Sequence, residues 1–229
     1  MSDEIKANVP DAAEEKPAET APKPKRKNKG IIVLAVIAGV LAIAVVGGLV
    51  WHNQPSFCNA ICHTPMDKYY ETYAQEPGVA GFDKYGNEVS DTSAMLAVTH
   101  AAAGVTCLDC HEATTEQQIE EAKAWYSGNY RFPLKERRLK DLVVASGKTE
   151  DEFCLREGCH GVTRDDLVEL TSEATVNPHL AIHGQQSCSN CHKAHRASTI
   201  LCTQCHTAGV IMPDGWLTVA EASKLVGVN

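Results

Sequence analysis

Ten cysteines fall in five pairs, and the residue after the second cysteine of every pair is histidine. The five stretches are Cys58-Asn59-Ala60-Ile61-Cys62-His63, Cys107-Leu108-Asp109-Cys110-His111, Cys154-Leu155-Arg156-Glu157-Gly158-Cys159-His160, Cys188-Ser189-Asn190-Cys191-His192 and Cys202-Thr203-Gln204-Cys205-His206. Two thiols so spaced can add across the two vinyl groups of a haem, and the adjoining histidine then lies beneath the iron as an axial ligand. Histidine fills only ten of 229 positions, so five such successions by accident have odds of about 10⁻⁷ for independent draws from the composition. A structural zinc draws four ligands from two pairs and has no use for the repeated histidine. A disulfide has no use for it either. The Cys58 pair encloses three residues and the Cys154 pair four, so these two need wider loops than the other three. The residues themselves point to five c-type haems, each carried on two cysteines and one proximal histidine: His63, His111, His160, His192 and His206.

Five histidines remain: His52, His100, His179, His183 and His195. They number one per haem, and most crowd the motifs, so four of them, His100, His179, His183 and His195, are expected as distal iron ligands. His195 follows His192 by three residues, and the two cannot both serve one iron; one of them reaches a neighbouring haem. His179 and His183, at i and i+4, would share a helical face and reach two haems from one side. His52 sits where a membrane interface is expected, and a bland role there competes with ligation. Met66 lies beside the first motif. A methionine opposite a histidine raises a haem's potential, and a missing ligand would leave room for a substrate.

The elements that must position these residues are short. Aromatic residues make up only 6% of the chain, so five macrocycles would supply much of the apolar bulk. The net charge of −8, made more acidic by haem propionates, argues against nucleic acid as a partner. Strand signals are weak. A helix is expected from Pro65, a loop over Gly78 to Ser90, and a helix capped by Asp91 that runs through Ala103, stops at Gly104 and presents His100 on its last turn. Thr115 with Gln118 reads as a capping box for a helix to about Ser127, and Pro133 to Ala145 as another helix. Thr149 with Glu152 opens a short helix carrying Cys154, and Thr218 with Glu221 a final one. Between Asn177 and Ala208 there is little room for regular structure.

Residues 1–29 are rich in Ala, Glu, Lys and Pro and read as a disordered tail. Gly30 to Val50 has no charged side chain, and 21 helical residues reach roughly 31 Å, the thickness of a bilayer's hydrocarbon. The basic run Lys23 to Lys29 places the amino end in the cytoplasm, and Trp51 and His52 suit the far interface. An uncleaved anchor fits better than a cleaved signal peptide, because the apolar stretch is long and no small-x-small site follows it. The expected architecture is mainly α and irregular with little strand: a cytoplasmic tail (1–29), a single transmembrane anchor (30–52) and an extracytoplasmic pentahaem cytochrome domain (53–229) on the outer face of a bacterial plasma membrane.

The stretch from Phe57 to His111, with Met66, Tyr70-Glu71-Thr72-Tyr73, His100, Gly104-Val105 and the second motif, resembles the NapC/NirT-type membrane-anchored multihaem quinol dehydrogenases. The stretch from Asn177 to Trp216, with His179, His183, His195 and Met212-Pro213, is similar to the tetrahaem domain of flavocytochrome c fumarate reductases. These resemblances imply electrons taken from menaquinol near the haem beside Met66 and carried outward. They also imply His100, His179, His183 and His195 as distal ligands. No Gly-rich dinucleotide fingerprint is present, so a separate extracytoplasmic flavoprotein, or another reductase, is expected to accept the electrons. Two alternatives differ in kind: a terminal reductase with an open haem site, and a relay fed by another cytochrome.

Overall fold

The computed structural model describes residues 29–132, 136, 139, 143 and 147–227. The expected tail and most of the helix expected over Pro133 to Ala145 lie outside the described residues. The chain divides into two units, Met1–Ala44 and Val45–Asn229.

Helix α1 (Lys29–His52) is 24 residues long, about 36 Å at the helical rise. It is apolar all round, and its Ile, Leu and Val side chains are exposed. Water does not tolerate such a surface and lipid does. One N-terminal helix is thus long and apolar enough to cross a membrane.

The second unit is built of short helices and turns with little strand, as the composition indicated. Helix α2 (Pro55–Ile61) has proline at its start, where the missing N–H costs nothing. Helix α3 (His63–Tyr73) begins two residues before Pro65, so its first residue is the motif histidine itself. The loop expected over Gly78 to Ser90 holds a small antiparallel hairpin, β1 (Gly81–Phe82) with β2 (Glu88–Val89). The Asp91 side chain accepts from Ser93 N–H at 2.7 Å, but it caps only a 3₁₀ turn over Thr92–Ala94. Met95 is extended, and helix α4 (Leu96–Ala102) starts afresh after it. Gly104, at φ +82°, ends that helix in the left-handed region.

Next come α5 (Cys107–Cys110), α6 (Thr115–Tyr126), α7 (Glu150–Cys154), α8 (Arg164–Leu170) and α9 (Cys188–Cys191). A parallel pair, β3 (Thr199–Ile200) with β4 (Leu217–Thr218), precedes α10 (Val219–Ala222). The capping boxes at Thr149 and Thr218 form as read. The one expected at Thr115 and Gln118 is made one residue earlier, by Thr114 and Gln117, while Gln118 Nε2 donates to the Ala113 carbonyl. Helix α8 was not read from the sequence, although Thr163 and Asp166 close a capping box on it.

A small core of Val89, Ala94, Met95, Val98 and Ala197, with Trp216 and Leu217 against it, ties the hairpin, α4 and the C-terminal strands together. Gly215 packs so closely here that a Cβ would collide with the Asp91 carbonyl oxygen. Among the described residues only nine apolar side chains are buried, while Leu180, Ile182, Ile211 and Met212 are exposed beside the last two motifs. A large apolar cofactor is the kind of group such a surface covers.

Candidate metal centres

Four of the five motifs share one local geometry. The N–H of His111, His192 and His206 donates to the carbonyl of the first cysteine of its motif at 2.8, 3.0 and 2.9 Å. His160 does the same to Cys154 at 3.3 Å across two additional residues. Gly158, at φ +85°, absorbs the extra length. The first motif departs from this pattern. There Cys62 N–H takes the bond to Cys58 at 2.9 Å, and His63 is displaced by one position to open α3.

The motifs lie beside one another in chain order. The Cys58 sulfur lies against that of Cys107, and the Cys154 sulfur against that of Cys188. Cys110 lies within Coulombic reach of Cys159, and Cys191 of Cys202. Side chains between the cysteines hold the neighbours together. Arg156, inside the third motif, donates to Glu112, the residue after His111, and to the Asp109 carbonyl at 3.2 Å. Lys148 adds a 2.6 Å contact to Glu112. From α7, Glu150 accepts from Ser189 Oγ at 2.9 Å, and Asp151 accepts from Arg164 Nε at 3.0 Å and Gln185 Nε2 at 2.8 Å. None of the ten cysteines is joined to another in a disulfide. Among the described residues no three His, Cys, Asp or Glu side chains converge as a zinc site would need.

His195, His179, His183 and His100 each face one motif histidine. Ring centroids of His111 and His195 are 6.5 Å apart, those of His179 and His192 6.5 Å, those of His183 and His206 6.3 Å, and those of His100 and His160 5.9 Å. Iron–nitrogen bonds of about 2.0 Å would set two axial imidazole centroids about 6.3 Å apart. The donor set and its spacing therefore fit six-coordinate haem irons. His195 and His192, three residues apart, turn to different partners, as one iron cannot hold both. His179 and His183 also reach two partners, but from successive turns rather than from the helical face that their spacing suggested.

Hydrogen bonds fix which ring nitrogen is free. His100 Nδ1 donates to the Leu96 carbonyl at 2.8 Å, one turn back on α4. Thr72 Oγ1 gives its proton to the Tyr69 carbonyl at 2.8 Å and so accepts from His195 Nδ1 at 2.7 Å. Thr171 Oγ1 has only acceptors for its own proton, the Leu167 carbonyl at 2.7 Å and Asn177 Oδ1 at 2.9 Å, and so accepts from His179 Nδ1 at 3.1 Å. In each case the lone pair left on Nε2 is the one a metal can take. Burial holds the His195 ring down to about 3 and that of His192 to about 4, and it lowers His179 as well. These imidazoles stay neutral, the form that ligates.

The backbone around His195 is stitched in place. The Lys193 and Ala194 carbonyls accept from Leu96 and Ala97 N–H, two of the orphan donors at the start of α4, both at 2.9 Å. Lys84 N–H donates to the His195 carbonyl at 2.9 Å, and the Lys84 and Arg196 side chains share Glu136 at 3.0 and 3.1 Å.

His63 differs again. The ring beside it is Trp125, with centroids 6.5 Å apart and planes at 82°. Indole offers no lone pair. Met66 is one turn further along α3, where i and i+3 side chains share a side. His52 packs on Phe57 with centroids 4.9 Å apart.

Residues 99–207 match the cytochrome c3 family model, a span that holds all eight paired histidines and four of the five motifs. The cytochrome c-type protein Cgr1 of Eggerthella lenta is 54% identical over 211 residues, covering 92% of this chain and 97% of that protein. No solved structure matches the chain. With such a relative along almost its whole length, the chain belongs to the multihaem c-type cytochromes, proteins of electron transfer.

Proposed function

We propose that the chain is a membrane-anchored pentahaem cytochrome that takes electrons from menaquinol and delivers them to a separate extracytoplasmic reductase, most naturally a flavoprotein. The one-to-one meeting of four motif histidines with four others carries the reading. In it Cys58, Cys62, Cys107, Cys110, Cys154, Cys159, Cys188, Cys191, Cys202 and Cys205 hold five haems by thioethers. His111 pairs with His195, His160 with His100, His192 with His179 and His206 with His183. When bound, the haems supply reversible one-electron chemistry, while the protein sets their ligands, spacing and exposure. At the first centre His63 and Met66, three residues apart on one side of α3, are alternatives for one axial position, and the opposite position falls to His52 or stays open. Helix α1 holds that end of the chain at the membrane, with its amino end cytoplasmic, and the thiol contacts between successive motifs support an ordered path outward.

The test is to add a reduced menaquinone analogue, without oxygen, to the purified full-length holoprotein and to follow the haem absorption. Rapid reduction blocked by a quinol-site inhibitor is expected. No reduction, with dithionite still reducing every haem, would leave a relay fed by another protein. For the partner, crosslinking that captures only other cytochromes would count against a flavoprotein acceptor. The second reading, a terminal reductase with an open haem, is favoured by one observation, the Trp125 ring beside His63 where the other motifs have imidazole. Binding of nitrite or carbon monoxide to one haem in five would support it.

A further inference from the structure

Thr72 lies in the last turn of α3, at 2% exposure. Its hydroxyl is committed on both sides: the proton goes to the Tyr69 carbonyl at 2.8 Å, and the oxygen accepts from His195 Nδ1 at 2.7 Å. The Tyr69 ring stands edge-on to the same imidazole, with centroids 5.0 Å apart. One face of α3, made by Tyr69 and Thr72, therefore cradles His195. That helix begins at His63 of the first motif, while His195 faces His111 of the second. The contact joins residues 123 apart in sequence, and local chain geometry does not require it.

We propose that Thr72 is a positioning residue for the iron between His111 and His195, and that its hydroxyl sets the redox potential of that centre. This rests on the ligand assignment proposed above. An acceptor on Nδ1–H draws that proton away from the ring and makes Nε2 a stronger donor, which favours ferric over ferrous iron and lowers the potential. Orientation follows too, because the bond locks the ring about its long axis. Thr171 stands in the same relation to His179 and provides a matched control at another centre.

The experiment is a potentiometric titration of the purified full-length holoprotein, read by paramagnetic resonance so that each centre is followed by its own signal. Thr72→Val keeps the shape and removes the acceptor. It is expected to raise the midpoint of one centre and shift that centre's g values, leaving the other three imidazole pairs unmoved. Thr72→Ser is expected to restore both, and Thr171→Val to move a different centre. Should the valine variant fail to assemble, Thr72→Ala makes the same comparison against Thr72→Ser. Unchanged midpoints and g values in the valine variant overturn the proposal. So does a serine variant that fails to restore them, since the methyl and not the hydroxyl would then be at work. A wild type without four paired-imidazole signals instead overturns the ligand assignment itself, a failure visible before any variant is made.

Discussion

The four histidine pairs differ in how their rings are turned, and this gives each centre a distinct expected magnetic signature. The planes meet at 10° for His179 with His192, 27° for His111 with His195, 41° for His183 with His206 and 74° for His100 with His160. Each imidazole acts through its π system on one of two iron d orbitals. Parallel rings act on the same orbital and split the pair, giving an ordinary rhombic low-spin ferric signal. Nearly perpendicular rings act on both alike, leave them close in energy and retain orbital momentum, which drives one g value to an extreme. The oxidised protein should thus show one strongly anisotropic signal, from the pair at 74°, beside more rhombic ones. His100→Ala is expected to abolish that signal alone, removing one of the four paired-imidazole contributions and adding a high-spin one. His179→Ala should delete a rhombic signal and spare the anisotropic one. Loss of a rhombic signal in His100→Ala would refute the pairing, and unchanged low-spin intensity would show that His100 is not a ligand.

Where Met66 holds the axial position, Met66→Leu is expected to remove a sulfur-to-iron near-infrared band and turn the first haem high-spin, while the four imidazole pairs keep their signals; an unchanged spectrum would exclude Met66 as a ligand and give the position to His63. Glu136→Ala leaves Lys84 and Arg196, whose side chains are each 9% exposed, without their shared carboxylate. A loss of about 2–3 kcal/mol in denaturant unfolding is expected, toward the low end for breaking a buried pair because solvent reaches Glu136. The hydrogen bonds from Arg164 hold the Asp151 carboxyl below its ordinary value, so the unfolded chain takes up that proton first. The contribution of Asp151 is complete above the ordinary aspartate range and is lost as pH falls through it toward the folded value. Asp151→Asn should therefore be less stable near neutrality and show a shallower acid transition by circular dichroism.

The chemistry was legible because it sits in contiguous residues. The motif spacings, the membrane-length run before Trp51 and the capping pairs at Thr149 and Thr218 are each local patterns, and local physics decides them. Where local signals compete, the reading slipped. Thr114 and Thr115 are equivalent as caps in sequence, and the structure uses the first while Gln118 turns to the Ala113 carbonyl. Met95 belongs to a helical pattern after Asp91, yet it is drawn into the core at 0% exposure and its backbone is extended. The spacing of His179 and His183 suits one helix face, but each turns to a separate partner instead.

What no local pattern could supply is the partner of each histidine, because the pairing crosses the chain. His100 precedes the second motif but faces the third, and His195 follows the fourth but faces the second. The bonds that enforce this exchange are themselves long-range: the Lys193 and Ala194 carbonyls on the start of α4, and Thr72 on His195. Successive motifs are consequently not independent haem-binding modules strung on a chain. The second centre is incomplete until residues from α3, α5 and the segment after α9 have come together, and the third until α4 and α7 have. The same crossing ties the centres together: the stretch from His100 to His111 serves the third and second, and the stretch from His192 to His195 the fourth and second.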